Sequence, residues 1–357
     1  MSNFRNREID RSFTLIGALR KMDVLDKKLL ILVENDIFFG LLSAGDIQRA
    51  ILQNKALETK VIDVVRENIK VGKVTDSLED LRNMILEYRM EFCPIIDDQE
   101  RIIEILFWED IFGTQKHHPL EQFKVPVVIM AGGFGTRLKP ITNVLPKPLI
   151  PLGDKTILEE IFHRFNVHGC NEFHISVNYK AELIKYYIES QNLTVNTHFF
   201  TEDKPMGTAG SLSLLRNNIK STFFVTNCDI IINQDYSEIL KFHQDNKNEI
   251  TLVAAFKHLE IPYGTVKMGK GGELTEIAEK PELNFLVNAG MYVLEPHLLN
   301  EIPEDTFYHI TFLIEALKEQ KRKVGVFPVS EGSWMDIGQW DEYNRTSKKL
   351  GYSGINI

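Results

Sequence analysis

A glycine-rich loop near the middle of the chain carries the residue types that bind phosphate. An apolar run at residues 127–130 leads directly into Ala-Gly-Gly-Phe-Gly-Thr-Arg-Leu-Lys-Pro at residues 131–140. Glycines let backbone N–H groups approach an anion closely, and Arg137 and Lys147 add fixed positive charge. The segment therefore predicts a phosphate site at the end of a buried strand.

Two better-known phosphate loops do not fit this segment. A Rossmann fingerprint needs a third glycine where Leu138 stands, followed at once by a helix. Prolines at positions 140, 146, 148 and 151 exclude a regular helix there. A Walker loop needs Gly-Lys-Ser/Thr, which the segment lacks. These departures argue against a dinucleotide-dependent oxidoreductase and against a P-loop NTPase.

The loop and the Pro-Lys-Pro-Leu segment at residues 146–149 resemble the signature of the sugar-1-phosphate nucleotidylyltransferase family. Its members include mannose-1-phosphate guanylyltransferases and glucose-1-phosphate thymidylyltransferases. The similarity runs from about Val125 to Trp340 and recurs in order at several motifs. It implies an enzyme that joins the nucleoside monophosphate of an NTP to a sugar 1-phosphate and releases pyrophosphate. The alternative is a nucleotide-sensing protein whose transferase domain has lost activity.

The resemblance gives a role to residues at each motif. It implies that Arg137, Lys147, Asp229 and Asp336 are catalytic. It also implies that the two aspartates chelate Mg²⁺, with Mn²⁺ as an alternative, and carboxylates are the ligands that such ions prefer. The residues implied in nucleotide binding are Ala131, Gly132, Gly133, Gly135, Thr136, Glu202, Gly207, Thr208 and Ala209. Those implied in sugar-phosphate binding are Gly264, Glu279, Lys280 and Asn288.

Two residues depart from the family pattern. Cys228 stands where glycine is usual, which predicts a less close approach of the backbone to the nucleotide. His309 stands where relatives have an acidic residue near the sugar pocket, which predicts a different sugar or an altered site. Without the resemblance, Asp229 would be interpreted as a turn former and Glu279-Lys280 as a surface pair.

Glu202 lies at the base-binding position of the family, where pyrimidine-selective relatives tend to have glutamine. A carboxylate only accepts hydrogen bonds, and guanine offers two adjacent donors, N1–H and N2–H, on one edge. We therefore favour GTP over UTP, dTTP and CTP. A carboxylate that caps the following helix is the alternative role for Glu202.

The elements that position these residues alternate between strand and helix. The pattern predicts strands at 127–130, 173–177, 195–200 and 222–226. Helices are predicted at 157–167, at 181–189 and after Gly207. Strands separated by helices at this spacing specify an α/β fold with a doubly wound, mostly parallel sheet. Ligands of such sheets bind at the carboxyl ends of the strands, where the polar motifs fall.

The N-terminal third contains a diverged duplication. The segments at 18–22 and 80–84 match, and each copy closes on Asp-Ile, at Asp46 and Asp110. Each copy is predicted to contain a helix, a strand, a turn, a strand and a helix. The pattern resembles a tandem pair of CBS domains, a smaller α+β unit.

In the CBS family the hydroxyl and aspartate of the second strand-to-helix turn hold an adenine nucleotide. Copy one retains both groups as Ser43 and Asp46, whereas copy two has Phe107 in place of the hydroxyl. The resemblance thus implies one regulatory nucleotide site at most, and a pair that only mediates packing and oligomerisation is equally open. We expect a CBS pair at 1–113, a linker at 114–124 and a nucleotidyltransferase domain at 125–357.

The overall composition limits the possible partners and the cellular compartment of the protein. The formal net charge of −9 argues against nucleic-acid binding, and no stretch approaches the ~20 apolar residues of a membrane helix. The three cysteines form no CxxC pair, and no apolar segment of signal-peptide type follows the start. We therefore expect a cytoplasmic protein in a reducing compartment. Family resemblance implies a homodimer or homotetramer.

Overall fold

The computed structural model describes residues 4–65, 69–88, 90, 92–107, 120–191, 193 and 195–352. Contacts divide the chain into two compact units, Met1–Pro119 and Leu120–Ile357. Each unit is described by itself below. No described helix combines the length and the apolar character that crossing a bilayer requires.

The N-terminal unit contains two small sheets of the same topology. Its described helices are α1 (Leu15–Leu25), α2 (Ala44–Leu52) and α3 (Leu78–Glu87). Its described strands are β1 (Glu8–Ile9), β2 (Leu29–Glu34), β3 (Ile37–Ser43), β4 (Gly72–Lys73), β5 (Phe92–Ile96) and β6 (Ile102–Phe107). The sheet orders are β1-β2-β3 and β4-β5-β6, and in each the first pair is parallel and the second antiparallel. The predicted helix, strand, turn and strand are present in both copies. Asp110, which closes copy two, lies outside the described residues.

The two copies pack against each other. The hairpin turns exchange backbone hydrogen bonds: Phe38 N–H donates to Glu100 O over 2.9 Å, and Ile102 N–H donates to Asp36 O over 3.0 Å. A shared buried cluster then joins side chains of both sheets, namely Ile31, Val33, Phe92 and Ile105. The duplication is therefore one folded unit with a common apolar centre.

The C-terminal unit is built on a seven-stranded sheet. The described strands of the whole unit, including those outside this sheet, are β7 (Val127–Met130), β8 (Pro151–Leu152), β9 (Lys155–Thr156), β10 (Glu172–Val177), β11 (Asn196–Thr201), β12 (Phe223–Asn227), β13 (Ile230–Ile232), β14 (Ile250–Glu260), β15 (Thr265–Met268), β16 (Leu274–Ala278), β17 (Glu282–Leu294), β18 (Val324–Val329) and β19 (Trp334–Asp336). The large sheet has the order β11-β10-β7-β12-β17-β14-β18. Strand β17 is antiparallel to both of its neighbours, and the other four pairs are parallel. The predicted mostly parallel sheet is confirmed.

Helices cover both faces of this sheet. They are α4 (Ile157–Asn166), α5 (Ala181–Ser190), α6 (Tyr236–Asp245), α7 (Ile310–Glu319) and α8 (Trp340–Lys349). Alternation along β7 sends Val127 and Ile129 into one buried cluster and Val128 into the other. Helix α4 begins at Thr156, whose capping box with Glu159 satisfies free backbone donors. Both sheet faces are thus buried, as a doubly wound fold requires.

Short 3₁₀ helices make up much of the remaining chain. They span Phe4–Arg7, Val61–Asp63, Thr136–Leu138, Ile141–Asn143, Lys147–Leu149, Gly210–Leu215, Lys270–Gly272, Pro296–Asn300 and Glu331–Ser333. The helix predicted after Gly207 is the 3₁₀ helix Gly210–Leu215, rather than an α-helix. At its N-terminal end, the N–H groups of Ala209 and Gly210 donate to Tyr308 O.

Candidate active site

A cleft of about 370 Å³ opens where the central parallel strands end. Met130 ends β7 and Asn227 ends β12, and the two residues are paired in register. Ten residues predicted to bind or react line this cleft: Gly132, Gly133, Gly135, Thr136, Arg137, Lys147, Glu202, Gly207, Thr208 and Asp229. Seven further lining residues have no predicted role: Met130, Phe134, Pro205, Met206, Asn227, Phe307 and Gly338. The sequence therefore predicted where the site lies but only some of the residues that line it.

The glycine-rich loop forms one wall. Gly135 has a φ of 62°, and a Cβ there would lie 2.8 Å from Thr142 Cγ2, so the position needs glycine. The Thr142 hydroxyl donates to Gly135 O over 2.9 Å and fixes the turn. Gly133 has open space where a Cβ would be, which leaves room for a ligand. The loop continues as a short 3₁₀ helix at Thr136–Leu138, in agreement with the exclusion of a regular helix.

Ala131 and Ala209 are buried rather than exposed to the cleft. Ala131 N–H donates to Ser176 O over 3.0 Å and extends the strand pairing of β7. Ala209 N–H donates to Tyr308 O over 3.0 Å. Neither backbone donor is available to a nucleotide, because each already has a carbonyl partner. These two buried residues support the segments that line the cleft and do not line it themselves.

Two cations reach the cleft from different depths. Lys147 is buried and forms an ion pair with Asp229. Arg137 is exposed, and among the described residues no carboxylate lies within ion-pair distance of its guanidinium. A Cβ on Gly338 would lie 3.2 Å from Arg137 Nη2 and 2.7 Å from Asp336 Oδ1. Arg137 and Asp336 therefore flank the same glycine.

Asp229 and Asp336 are brought together by a strand pair. Ile230 in β13 is registered with Asp336 in β19, and Ile337 N–H donates to Asp229 O over 2.8 Å. Burial raises the pKa of Asp336, and the nearby Asp229 carboxylate raises it further. Two adjacent carboxylates under mutual repulsion favour a bound cation. The pair fits the predicted magnesium ligands.

No cluster of three or more histidine, cysteine or acidic side chains that could hold a metal is found among the described residues. Magnesium in proteins is commonly held by one or two carboxylates, with waters and substrate phosphate oxygens completing its six ligands. The Asp229 and Asp336 pair meets that requirement. The donor set therefore fits a metal that binds together with its nucleotide.

Glu202 is buried beneath the phosphate loop with its carboxylate at the cleft. One oxygen, Oε1, accepts from the Ser176 hydroxyl, and Oε2 accepts from Met206 N–H over 3.2 Å. Asn178 Nδ2 also donates to the Glu202 carbonyl over 2.6 Å. Each carboxylate oxygen has two acceptor sites, so each keeps one for a ligand. The hydrogen bond from Met206 N–H holds the base loop to Glu202. The remaining acceptor sites of the carboxylate allow it to bind a base as well.

The base loop is held by the segment that contains His309. Tyr308 N–H donates to Met206 O over 2.9 Å, and Ile310 N–H donates to the Thr208 hydroxyl over 3.0 Å. The same hydroxyl lies 3.3 Å from His309 Nδ1. We predicted His309 near the sugar pocket, and this stays a prediction. Its ring contacts the nucleotide loop because α7 begins directly beside Thr208.

The predicted sugar-side residues do not line the main cleft. Gly264 and Glu279 are close neighbours, since a Cβ on Gly264 would lie 3.0 Å from Glu279 Oε2. Lys280 follows with a φ of 43°. These three residues flank the hairpin formed by β15 and β16, in a long antiparallel arm of the sheet. The sequence predicted that these three residues lie together, but it did not predict that they lie outside the lining of the cleft.

Asn288 contacts a turn that lies beside a lining residue of the cleft. Its Oδ1 accepts from Gly290 N–H over 3.0 Å, and its Nδ2 donates to the Tyr292 hydroxyl over 2.7 Å. Gly290 has a φ of 79°, and a Cβ there would lie 2.7 Å from Nδ2 of Asn227, a lining residue. Asn288 therefore shapes the turn that borders the cleft.

Cys228 lines the cleft beside the acidic pair. Burial raises the pKa of its thiol to about 12, with a further contribution from Asp229. A thiol with that pKa stays protonated near neutral pH and is a poor nucleophile. Its N–H donates to Met130 O over 3.2 Å and continues the strand pairing.

The predicted regulatory residues in the N-terminal unit form a helix cap. Ser43 Oγ accepts from Asp46 N–H over 3.2 Å, and Asp46 Oδ2 accepts from Ser43 N–H over 2.8 Å. Asp46 also pairs with Arg49. This capping box begins α2 and accounts for both side chains without a ligand. A cavity of about 520 Å³ adjoins it and is lined in part by Asp46, Arg49 and Lys55.

Comparison with known proteins places the C-terminal unit in a family. Residues 126–352 match the family model described as "Nucleotidyl transferase". "Mannose-1-phosphate guanylyltransferase catalytic subunit beta" of Drosophila pseudoobscura pseudoobscura is 32% identical over 219 residues, which are 59% of this chain and 58% of the relative. "Mannose-1-phosphate guanyltransferase" of Schizosaccharomyces pombe is 33% identical over 228 residues, 60% of this chain and 61% of the relative.

Solved structures agree with the fold. The crystal structure of HddC from Yersinia pseudotuberculosis has a TM-score of 0.51 at 25% identity, and the match covers 63% of this chain and 99% of that one. The chain spans only about 58–61% of the length of these two curated relatives. The family match covers more than half of the chain and includes every residue of the cleft. The chain therefore belongs to the nucleotidyl transferase family.

Proposed function

We propose that the protein transfers the nucleotidyl group of an NTP to a sugar 1-phosphate. The observation that carries this proposal is that Arg137, Lys147 and Asp229 line one cleft beside a glycine-rich loop, and that a strand pair brings Asp336 next to Asp229. Such a set supplies what phosphoryl chemistry needs, namely positive charge, a metal site and backbone donors in fixed positions. The family membership supports the same reaction class.

The reaction requires no covalent intermediate. A sugar-phosphate oxygen, already ionised, attacks the α-phosphorus of the NTP in line. One P–O bond forms, the bond to the β-phosphate oxygen breaks, and pyrophosphate leaves with the electron pair. No general base is needed because the attacking oxygen carries no proton. The burial and the pKa of Cys228 are consistent with a mechanism that does not use it as a nucleophile.

The residues divide the work by charge. Arg137, exposed at the mouth, contacts the phosphates that become pyrophosphate, and Lys147 stabilises charge at the α-phosphate. Lys280 holds the incoming phosphate, and Glu279 accepts hydrogen bonds from the sugar hydroxyls. Asp229 and Asp336 would hold Mg²⁺ or Mn²⁺, which neutralises phosphate charge when bound.

We propose GTP as the donor. Glu202 keeps one acceptor site on each carboxylate oxygen, and guanine presents N1–H and N2–H to such a pair. Two curated relatives named above carry "guanylyltransferase" or "guanyltransferase" in their names. Their names also specify mannose 1-phosphate, which we include among the acceptors to be tested. The sugar itself is left open by the residues of this chain.

For residues 1–113 we propose a tandem CBS pair that regulates or assembles the enzyme. The two like sheets and their shared core support the pair. An adenine nucleotide at Ser43 and Asp46 is the ligand to test, because a cavity adjoins them. Calorimetry of the full chain with AMP, ADP and ATP, beside Asp46→Ala, separates a nucleotide site from a packing module. Absence of heat with all three nucleotides would favour packing.

The reaction itself is tested by pyrophosphate release. Four NTPs are crossed with a panel of sugar 1-phosphates, with and without Mg²⁺. We expect release that depends on the sugar, on the metal and most strongly on GTP. Tight nucleotide binding without turnover in any combination would instead support a nucleotide-sensing protein.

A further inference from the structure

Three consecutive residues around the end of β10 hold Glu202 in place. The N–H of Glu202 donates to Val177 O over 3.1 Å, and Asn178 Nδ2 donates to the Glu202 carbonyl over 2.6 Å. The hydroxyl of the third residue, Ser176, donates to the carboxylate oxygen Oε1. One strand end therefore fixes both the main chain of Glu202 and one oxygen of its side chain.

The Ser176 hydroxyl has the Glu202 carboxylate as its acceptor. Ser176 is fully buried, so water does not compete for its proton. The Ser211 Oγ atom lies 3.5 Å from Ser176 Oγ, which is longer than a usual O–H···O hydrogen bond. An ionised carboxylate also forms stronger hydrogen bonds than a neutral hydroxyl does. The one proton of the Ser176 hydroxyl therefore goes to Glu202.

Hydrogen bonds, rather than a counter-charge, determine how the Glu202 carboxylate is oriented. Glu202 is buried, and no cationic side chain in the described part of the chain lies within ion-pair distance of it. A buried charge without a partner of opposite sign depends on hydrogen-bond donors. The donors that the structure provides are the Ser176 hydroxyl on Oε1 and Met206 N–H, 3.2 Å from Oε2.

These two donors fix the plane of the carboxylate. The last torsion of a glutamate side chain is broad and roughly two-fold, so the side chain alone does not set this plane. Ser176 holds Oε1 from β10, and Met206 N–H holds Oε2 from the base loop. Gly132 of the phosphate loop packs against the same group, since a Cβ there would lie 3.0 Å from Oε1. Three separate segments therefore set the plane before a ligand binds.

A fixed plane matters most for a base that presents two donors side by side. Guanine has N1–H and N2–H on one edge, and two parallel bonds to a carboxylate form only when its plane lies along that edge. Hypoxanthine, the base of inosine triphosphate (ITP), has N1–H but lacks the N2 amine. A carboxylate that rotates can still accept the one bond that hypoxanthine offers. Loss of the fixed plane should therefore weaken the binding of GTP more than that of ITP.

We propose that Ser176 is a positioning residue that fixes the Glu202 carboxylate plane and so selects a base with two adjacent N–H donors. Ser176 is fully buried and does not line the cleft, so it acts through Glu202 rather than on the substrate. This inference rests on the proposed recognition of GTP by Glu202. It adds a specificity determinant on a strand that contributes no side chain to the cleft lining.

The test compares GTP and ITP binding to the full chain, measured by calorimetry in the presence of Mg²⁺. The preference is the Kd of ITP divided by the Kd of GTP. In Ser176→Ala we expect this preference to fall about tenfold, the effect of losing one hydrogen bond to a charged group. The KM for GTP should rise while kcat changes by less than about twofold, because the lost contact acts on binding. A general disturbance of the fold would weaken both nucleotides equally and leave the preference unchanged.

Two further variants separate the hydroxyl from its surroundings. Ser176→Cys keeps a weaker donor of similar size, so its preference should lie between those of wild type and Ser176→Ala. Ser213→Ala is the matched control, because Ser213 is also buried but its hydroxyl donates to Gly210 O over 2.7 Å. Its preference should stay within about twofold of that of wild type. Thermal unfolding confirms that each variant is folded, and Ser176→Cys decides the matter if Ser176→Ala does not fold.

The outcomes distinguish this inference from the proposed function. A preference that is the same in wild type, Ser176→Cys and Ser176→Ala overturns the positioning role and leaves GTP as the proposed donor. Equal binding of GTP and ITP by wild type overturns recognition of two donors by Glu202, and the role of Ser176 with it. Because calorimetry measures binding without turnover, a wild type that binds GTP selectively but transfers nothing contradicts only the proposed reaction. In that case the variants still decide the role of Ser176.

Discussion

Lys147 and Asp229 form an ion pair inside the cleft, although 82 positions separate them in the chain. Their side chains are 9% and 17% exposed. The lysine comes from the loop after β7, and the aspartate ends the segment after β12, which is the parallel neighbour of β7. The ion pair therefore follows from the order of the strands in the sheet. It holds together two side chains, Lys147 and Asp229, that both take part in the proposed reaction.

The first prediction concerns this ion pair. Asp229→Asn leaves the nearly buried Lys147 ammonium without its ion-pair partner, so we expect a loss of about 3 kcal/mol in the free energy of unfolding. Nucleotidyl transfer should fall by a factor of about 100 or more. The double variant with Lys147→Met should regain most of the stability and none of the activity. Urea unfolding and pyrophosphate release measure the two effects.

Asp245→Asn is the matched control for that series, because Asp245 is exposed at the end of α6. It should change stability by less than about 0.5 kcal/mol and leave turnover intact. Recovery of activity in the double variant would contradict the catalytic role of the pair.

The second prediction concerns base selection. Glu202→Gln replaces one acceptor oxygen by an amide donor, which disrupts either the bond from Ser176 or the bond from Met206 N–H. The ratio of kcat/KM for GTP to that for UTP should fall about tenfold or more, equivalent to about 1.4 kcal/mol. Asp203→Asn, at the exposed neighbouring position, should leave the ratio unchanged. An unaltered ratio in the Glu202 variant would reject its role in reading the base.

The third prediction concerns the nucleotide loop. Gly207 has a φ of 79°, and a Cβ there would lie 2.7 Å from the Tyr308 carbonyl oxygen. Gly207→Ala should therefore displace the loop and raise the KM for GTP about tenfold, while the KM for the sugar phosphate stays the same. Gly271 has a similar φ of 73° with no atom near its Cβ position, so Gly271→Ala supplies the backbone strain without the clash. Equal effects of the two variants on the KM for GTP would refute the loop displacement.

The fourth prediction is a pH dependence of stability. Hydrogen bonds from Arg322 and His297 lower the pKa of Glu249 from 4.5 to about 2. Because the folded protein holds this carboxylate ionised more strongly, its contribution is complete above pH 4.5 and is lost as the pH falls towards 2. Because solvent screens this partly exposed carboxylate, Glu249→Gln should cost only about 2 kcal/mol at pH 7 and much less near pH 2. Thermal unfolding of wild type, this variant and the exposed control Glu319→Gln measures the difference. A penalty that does not vary with pH would contradict the ionic origin.

The sequence predicted those parts of the site that lie in continuous motifs. The spacing of the glycines at 132, 133 and 135 predicts a phosphate loop, and the following prolines exclude a regular helix. Asp229 follows an apolar run, and the resemblance of its motif to the family identified it. Such signals are local, since one short segment contains both the residue and the reason for its position.

Contacts between distant segments are the part of the site that the sequence did not predict. Phe307 enters the cleft, and His309 contacts Thr208, because the chain before α7 packs on the base loop. Ser176 could have been noticed as a polar residue in the buried strand β10, but its partner Glu202 depends on the pairing of β10 with β11. The β-bulge that places Leu274 on the same side of the β15–β16 hairpin as Ile277 likewise appears only once the register is known.

The destination of individual phosphates tests the central claim most directly. GTP labelled with ³²P at either the α or the γ position is incubated with enzyme, Mg²⁺ and the sugar 1-phosphate that gives the most pyrophosphate. We predict that the α label appears in the nucleotide sugar and the γ label in pyrophosphate. Transfer of the γ label to the sugar, or its release as inorganic phosphate, would contradict nucleotidyl transfer.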